Sequence, residues 1–262
     1  MKIQVLEKNE SEIRFVLEEV TPAFAGSLRR LMMSEVPTMA IEWVDFRKND
    51  SALYDELIAN RLGQVPLTFD KKAYDLPEDC KCEAKGCSRC QVKLTLKKVG
   101  PGMVYAEDLK SKSKDVVPVF GKTPIVELFE GQDIEFEATA QLGRGKSHAK
   151  WQAAIVGYKN RSNITIDKNC NVCAKCVERC LKGALKIDGN KICVENPFEC
   201  NLCNECVDVC PKSCIKVEPV ENGFIFNVET VSGLPPEEIV SDAIDILESK
   251  LKEFDKGLKK LK

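Results

Sequence analysis

The feature that most constrains this chain is a duplicated cysteine run. CNVCAKCVERC at residues 170–180 returns thirty residues later as CNLCNECVDVC at residues 200–210. Both runs read C-x2-C-x2-C-x3-C, and the offset extends past them, since LKGALKID (181–188) aligns with PKSCIKVE (211–218). A repeat at fixed offset predicts two pseudo-symmetric halves of one small unit. Of the fourteen cysteines, ten fall in residues 170–214 and four in residues 80–90. Clustering of this kind reads as ligands for soft or borderline cations in a reducing compartment, where thiols stay reduced.

The spacing, with Pro211 after the last cysteine, is the ferredoxin pattern for two 4Fe-4S clusters. Three cysteines in a tight loop turn their sulfurs onto one cubane, while the fourth, along the following helical turn, reaches the other cluster. This assigns Cys170, Cys173, Cys176 and Cys210 to one cluster and Cys180, Cys200, Cys203 and Cys206 to the other. Zinc is the chemical alternative, disfavoured by the paired runs and their crossover. Leu181 stands where the first run would carry proline, which leaves the ligand set intact. Cys214 falls at the repeat position of Ala184 and Cys193 at that of Asn163, and both read as small structural residues.

Cys80, Cys82, Cys87 and Cys90 offer four thiolates in eleven residues, enough to close a tetrahedral zinc site with no position left open for catalysis. The alternative is a loop of free thiols or a disulfide, which a reducing compartment disfavours.

Hydrophobic residues at 44% are ample for a core, and charged residues nearly cancel to a net −2. That balance excludes strong non-specific attraction to nucleic acid or anionic lipid. MKIQVLEKNESEIRF carries no apolar signal segment, and no apolar run approaches the ~20 residues that span a bilayer. A soluble, cytoplasmic protein is expected.

Periodicity organises the rest. Ile3 and Val5, then Ile13, Phe15 and Leu17, alternate as a hairpin about Lys8-Asn9-Glu10-Ser11. Thr21-Pro22 caps a helix whose stripe is Phe24, Leu28, Leu31 and Met32, stopped by Val36-Pro37. Residues 38–46 read as a strand, 51–62 as a helix stopped by Gly63, and 90–142 as mostly strand. VENGFIFNVETVSG restores strand character, and Pro235-Pro236 open a long helix with Val240, Ile244, Leu247, Leu251, Phe254, Leu258 and Leu261 at steps of four and three. So narrow a seam either seats against another helix or packs on the chain's own domain; spacing alone does not choose.

GRGKSHAKW (143–151) imitates the end of a phosphate-binding loop, but the required first glycine is Ala140, so the motif fails. His148, the single histidine, has no partner set for catalysis.

Four separated blocks then carry a resemblance: AGSLRRLMMSEVPTMAIEWVDF (25–46), RLGQVPLTFD (61–70), FGKTPIVELFEGQDIEFEATAQLGRGKSHAKW (120–151) and VSGLPPEEIVSDAIDILESKL (231–251). In this order they resemble the D-subunit family of archaeal DNA-directed RNA polymerase, itself similar to the third-largest subunit of eukaryotic polymerase II and the amino-terminal domain of bacterial alpha. The resemblance implies an α+β fold. It comprises a discontinuous dimerisation domain (about 1–46 plus 220–262), an inserted α+β domain (47–162) holding the 80–90 loop, and a ferredoxin-like domain (163–218). It implies a platform without catalytic residues of its own, pairing with the small L subunit of the RNA polymerase and recruiting the N and P subunits and the large catalytic subunits. Phe24, Leu28, Leu31, Met32 and the seam from Val240 to Leu261 would be the pairing surface, with GRGKSHAKW a contact to a neighbouring subunit. The clusters would act mainly as a folding staple, with a redox effect on assembly as a further hypothesis. The rival readings are an iron–sulfur electron-transfer protein or oxidoreductase subunit, and a homodimeric scaffold. The first leaves most of the chain unexplained, and no flavin, haem or nicotinamide site is visible.

Overall fold

Local chemistry sets where the first helices begin. The Thr21 hydroxyl accepts the Phe24 N–H at 3.2 Å, capping α1 (Pro22–Ser34) as Thr21-Pro22 predicts. The helix expected over 51–62 starts later, as α2 (Asp55–Gly63), because Asn49 Oδ1 accepts the backbone N–H of Ser51 at 3.1 Å and its hydroxyl at 2.6 Å. That side-chain turn competes with helix at Ser51.

The protein is described as a computed structural model covering residues 1–260. In chain order β1 (Lys2–Lys8) and β2 (Glu12–Glu18) precede α1, β3 (Pro37–Asn49) and α2. Then come β4 (Gln91–Val99), β5 (Gly102–Tyr105), β6 (Lys110–Ser111), β7 (Pro124–Leu128), β8 (Asp133–Arg144) and β9 (Ala154–Ile166). The cysteine-rich stretch forms α3 (Lys175–Arg179), β10 (Leu185–Asp188), β11 (Lys191–Val194) and α4 (Glu205–Asp208), followed by β12 (Ile215–Thr230) and α5 (Pro236–Lys259). Helices and antiparallel sheets together make an α+β protein, and among the described residues no helix is long and apolar enough to cross a membrane.

The chain forms two compact units, Met1–Arg29 with Val156–Val228, and Arg30–Ile155 with the residues from Glu229 on. The cysteine segment falls in the same unit as the amino-terminal hairpin. In that first unit the sheet order is β1-β2-β12-β9. Phe15 stacks on Phe226 at 5.2 Å and Tyr158 meets Phe224 edge-on at 5.6 Å, forming an aromatic centre. Ile3 and Val5 pair with Leu17 and Phe15, as alternation predicts, yet they stand exposed because β1 is the edge strand. Neighbouring strands β9 and β12 deliver the chain into and out of the cysteine segment.

In the second unit the main sheet runs β3-β8-β4-β6, with Phe46 and Leu96 both opposite Phe136 on the central strand. Alternation decides the faces: Val92, Leu94, Leu96, Ile134, Phe136, Ala138 and Ala140 are buried. Lys93–Glu137 at 2.5 Å and Lys97–Glu135 at 2.6 Å lie on the other side. Ile58 and Leu62 of α2 join that core, each stabilising by roughly 1.5–3 kcal/mol on burial. α5 buries Pro236, Ile239 and Ala243, and Lys71 bonds both Glu238 at 2.7 Å and Asp242 at 2.5 Å.

Candidate metal centres and helical pairing face

The four-cysteine loop lies between α2 and β4, and its tip turns through left-handed residues Glu83 (φ 54°), Ala84 (φ 60°) and Gly86 (φ 88°). This folding brings Cys80, Cys82, Cys87 and Cys90 together, with all four sulfurs within 4.8 Å of one another. The Cys80–Cys87 sulfurs are 3.6 Å apart, Cys80–Cys82 3.5 Å, Cys82–Cys90 3.5 Å and Cys87–Cys90 3.8 Å. A tetrahedral ion with metal–sulfur bonds of about 2.3 Å sets its sulfurs about 3.8 Å apart, so the donor set fits a single ion of zinc's size. The thiols differ in character. The Cys80 thiol bonded to Cys82 draws it down to about 7, whereas burial pushes Cys90 up to about 12. The Cys87 N–H donates to Cys90 Sγ at 3.3 Å, and Arg89 holds the loop through two bonds to Asp75 at 2.8 and 3.1 Å. All fourteen cysteines are free of disulfides.

In the repeat the backbone keeps the thirty-residue offset of the sequence. Left-handed residues recur as Val172 (φ 54°) and Leu202 (φ 60°), Ala174 (φ 65°) and Asn204 (φ 61°), and Gly183 (φ 61°) and Ser213 (φ 49°). Left-handed valine and leucine are unfavourable, and such geometry persists only where the surroundings over-determine it. The helices α3 and α4 occupy corresponding positions, each carrying the buried third cysteine of its run, Cys176 and Cys206. Cys173 and Cys203 are both exposed. One cavity of about 290 Å³ is lined by Cys180, Cys200, Cys203 and Cys206, so the last cysteine of the first run meets the first three of the second. Burial, reinforced by the thiols of Cys180, Cys200 and Cys203, pushes Cys206 up to about 11. Burial likewise raises Cys176, with Cys170 and Cys173 adding to it. Among the described residues, only the 80–90 loop gathers three or more ligating atoms within 4.8 Å.

The two apolar stripes fare differently. On α1, Leu28, Leu31 and Met32 are buried within the chain and Phe24 is half-buried. On α5, Val240 and Leu247 are half-buried, whereas Ile244, Leu251, Phe254 and Leu258 are exposed. Leu261, the last residue of the expected seam, lies outside the described residues.

Within the chain, the glycines of GRGKSHAKW permit close packing. A Cβ at Gly145 would lie 2.2 Å from the Met33 carbonyl oxygen, and one at Gly143 would lie 2.3 Å from the Trp151 ring. The Lys146 N–H bonds Ser34 O at 2.9 Å, and His148 Nδ1 accepts the Lys150 N–H at 3.1 Å, capping a short turn at Ala149–Trp151. Lys150 pairs with Glu42 and sits 4.5 Å over the Trp151 ring. Only the glycines signalled this in the sequence, through the close backbone approach they permit.

An α+β chain that ends in a long helix with an open apolar seam has the build of a dimerisation subunit. Residues 14–251 match the RNA polymerase Rpb3/Rpb11 dimerisation domain, and the chain belongs to that family of RNA polymerase subunits. It is similar to the archaeal DNA-directed RNA polymerase subunit Rpo3, the D subunit of that enzyme. It is 41% identical to the protein of Archaeoglobus fulgidus over 99% of this chain and 98% of the relative. Identity is 42% to that of Methanothermobacter thermautotrophicus (95% and 96% covered) and 41% to that of Pyrococcus furiosus (100% and 98% covered).

Proposed function

We propose that this chain is an assembly platform of DNA-directed RNA polymerase, pairing with the small L subunit and recruiting the N and P subunits and the large catalytic subunits. The observation that carries the reading is α5: one face is anchored by Pro236, Ile239 and Ala243, and the seam of Ile244, Leu251, Phe254 and Leu258 faces solvent. A row of large apolar side chains at heptad-like spacing on a charged helix is built for a partner helix. Residues 1–46 and 220–262 would form the dimerisation domain, 47–162 the inserted lobe and 163–218 the cluster domain. The buried α1 residues Leu28, Leu31 and Met32 would support this surface from within. Nucleotidyl transfer would fall to the large subunits.

Cys80, Cys82, Cys87 and Cys90 would hold zinc in a closed tetrahedron, giving a folding role with no open position for catalysis. Cys170, Cys173, Cys176 and Cys210 would hold one 4Fe-4S cluster, and Cys180, Cys200, Cys203 and Cys206 the other. Bound clusters would supply cross-links and one-electron redox capacity to a segment of about 55 residues, a size at which an apolar core alone is thin. The chain's own contribution is the set of left-handed turns that aims the sulfurs, with the Ala184 and Cys214 N–H groups each donating to a run's last cysteine at 3.3 Å.

Anaerobic purification of the tagged chain from its own cells tests the platform role. Co-recovery of a small L-type subunit with the large polymerase subunits is expected. Recovery of dehydrogenase or reductase subunits without polymerase would overturn the reading in favour of electron transfer. A redox effect on assembly predicts different affinity for the partner with and without clusters, and equal affinity would dismiss it.

A further inference from the structure

The segments that lead into the two cysteine runs are held differently. Before the second run, three successive backbone carbonyls each accept a hydrogen bond from a side chain of the amino-terminal sheet. The Ser162 hydroxyl of β9 donates to Pro197 O at 3.0 Å, Arg14 Nη2 of β2 to Phe198 O at 3.0 Å, and the Lys159 ammonium of β9 to Glu199 O at 3.1 Å. Arg14 Nη1 also pairs with the Glu199 carboxylate, and the Arg14 side chain is only 16% exposed. The next residue is Cys200, the first cysteine of the run, and it is buried.

The repeat supplies its own comparison. Residues 167–169 precede Cys170 as residues 197–199 precede Cys200, yet they bond inside the cysteine segment. The Asp167 N–H donates to Cys214 O at 2.8 Å, the Asn169 N–H to Asp167 Oδ1 at 2.9 Å, and the Cys170 N–H to Asp167 O at 3.2 Å. Cys170 is half-buried. One run is thus fastened to β2 and β9, and the other to its own segment. Hydrogen bonds from charged donors are the stronger kind, and an arginine left buried without its carboxylate is costly. The Arg14–Glu199 pair therefore resists any displacement of the chain that enters Cys200. Groups bonded behind a ligand fix its orientation and raise the affinity of the site it serves.

We propose that Arg14, Lys159 and Ser162 are positioning residues of the second cluster site, clamping Cys200 to the amino-terminal sheet so that loading of that site orders β2; the inference rests on the two-cluster reading above. Cys180, Cys200, Cys203 and Cys206 line one cavity, so whatever they hold is joined to the clamp through Cys200. Such coupling is reciprocal: what the clamp contributes to loading, loading contributes to the clamp. The first site, whose entry bonds inside its own segment, loads independently of Arg14. Residues 1–46 are the stretch assigned above to pairing, and the clamp gives cluster loading a physical route to it.

The test uses the full chain reconstituted anaerobically with ferrous iron and sulfide. The readouts are iron and acid-labile sulfide per chain and the electron paramagnetic resonance spectrum after dithionite reduction. Arg14→Ala is expected to lose about half of the iron and sulfide and one reduced-cluster signal, and Arg14→Lys, which keeps a charged donor, to recover part of them. Arg161→Ala, which breaks a pair with Glu18 on the same sheet, should match wild type. In double variants, Arg14→Ala should remove nearly all the iron that Cys173→Ser retains and none that Cys203→Ser retains. Amide hydrogen exchange across residues 12–18 of the wild-type chain should slow on loading. Wild-type iron in Arg14→Ala, an equal loss in Arg161→Ala, or equal losses in the two double variants would overturn the proposal. If Arg14→Ala does not fold, the exchange measurement on the wild-type chain decides, and an unchanged rate overturns it. Wild-type chain without acid-labile sulfide would overturn the two-cluster reading itself, a failure visible before any variant is compared.

Discussion

Truncating the α5 seam separates pairing from folding. Leu251 is 59% exposed and Phe254 65% exposed, so covering them with a partner helix removes somewhat more than half of each side chain from water. Fully burying a leucine or phenylalanine is worth roughly 1.5–3 kcal/mol, which leaves about 1–2 kcal/mol for each residue here. Leu251→Ala/Phe254→Ala is therefore expected to weaken binding of an L-type partner by about 2–4 kcal/mol, or roughly 30- to 1000-fold in Kd. Calorimetric titration of the purified partner into the variant measures this. The melting temperature of the unpaired chain should hardly move, because the side chains touch little in it. Met32→Ala is the contrasting control: this residue is 0% exposed, and its truncation should cost roughly 2–5 kcal/mol of stability. Unchanged partner affinity in the double variant, or a large fall in its own melting temperature, would refute the assignment of α5 as the pairing face.

Three further outcomes are expected. Cys90→Ser should lower bound zinc by one ion per chain, read by plasma mass spectrometry, and open the 80–90 loop to proteolysis while leaving iron unchanged. Gly145→Ala, whose Cβ would meet Met33 O at 2.2 Å, should destabilise by about 1–3 kcal/mol in denaturant unfolding. The Asp108 carboxyl is pushed up by burial, but the Lys98 ammonium at 2.6 Å and the Tyr105 N–H at 2.8 Å outweigh this and hold it below the usual range. Its stabilising contribution is therefore present above the unfolded value of about 4 and lost as pH falls through the lower folded value. Asp108→Asn should be about 1 kcal/mol less stable than wild type at pH 7, with the gap closing as pH falls below the unfolded value of about 4.

The division between sequence and tertiary structure follows the range of the interactions involved. Ligand spacing within each run, the Thr21 cap, and the alternation of Val92, Leu94 and Leu96 are set by neighbours a few residues apart, so the chain alone determined them. The late start of α2 was local too, written in Asn49 and Ser51, but hidden by an apolar periodicity that pointed the other way. Periodicity shows that a face is apolar and is silent about what covers it. Folding buried Leu28, Leu31 and Met32, yet left Ile3, Val5, Leu251 and Phe254 in water, because coverage depends on elements far away in the sequence. The gathering of Cys180 with Cys200, Cys203 and Cys206 at one cavity, and the close approaches at Gly143 and Gly145, are likewise tertiary. Sequence determined which atoms could bind and which faces could pair; only the folded chain decided which of them remained free to do so.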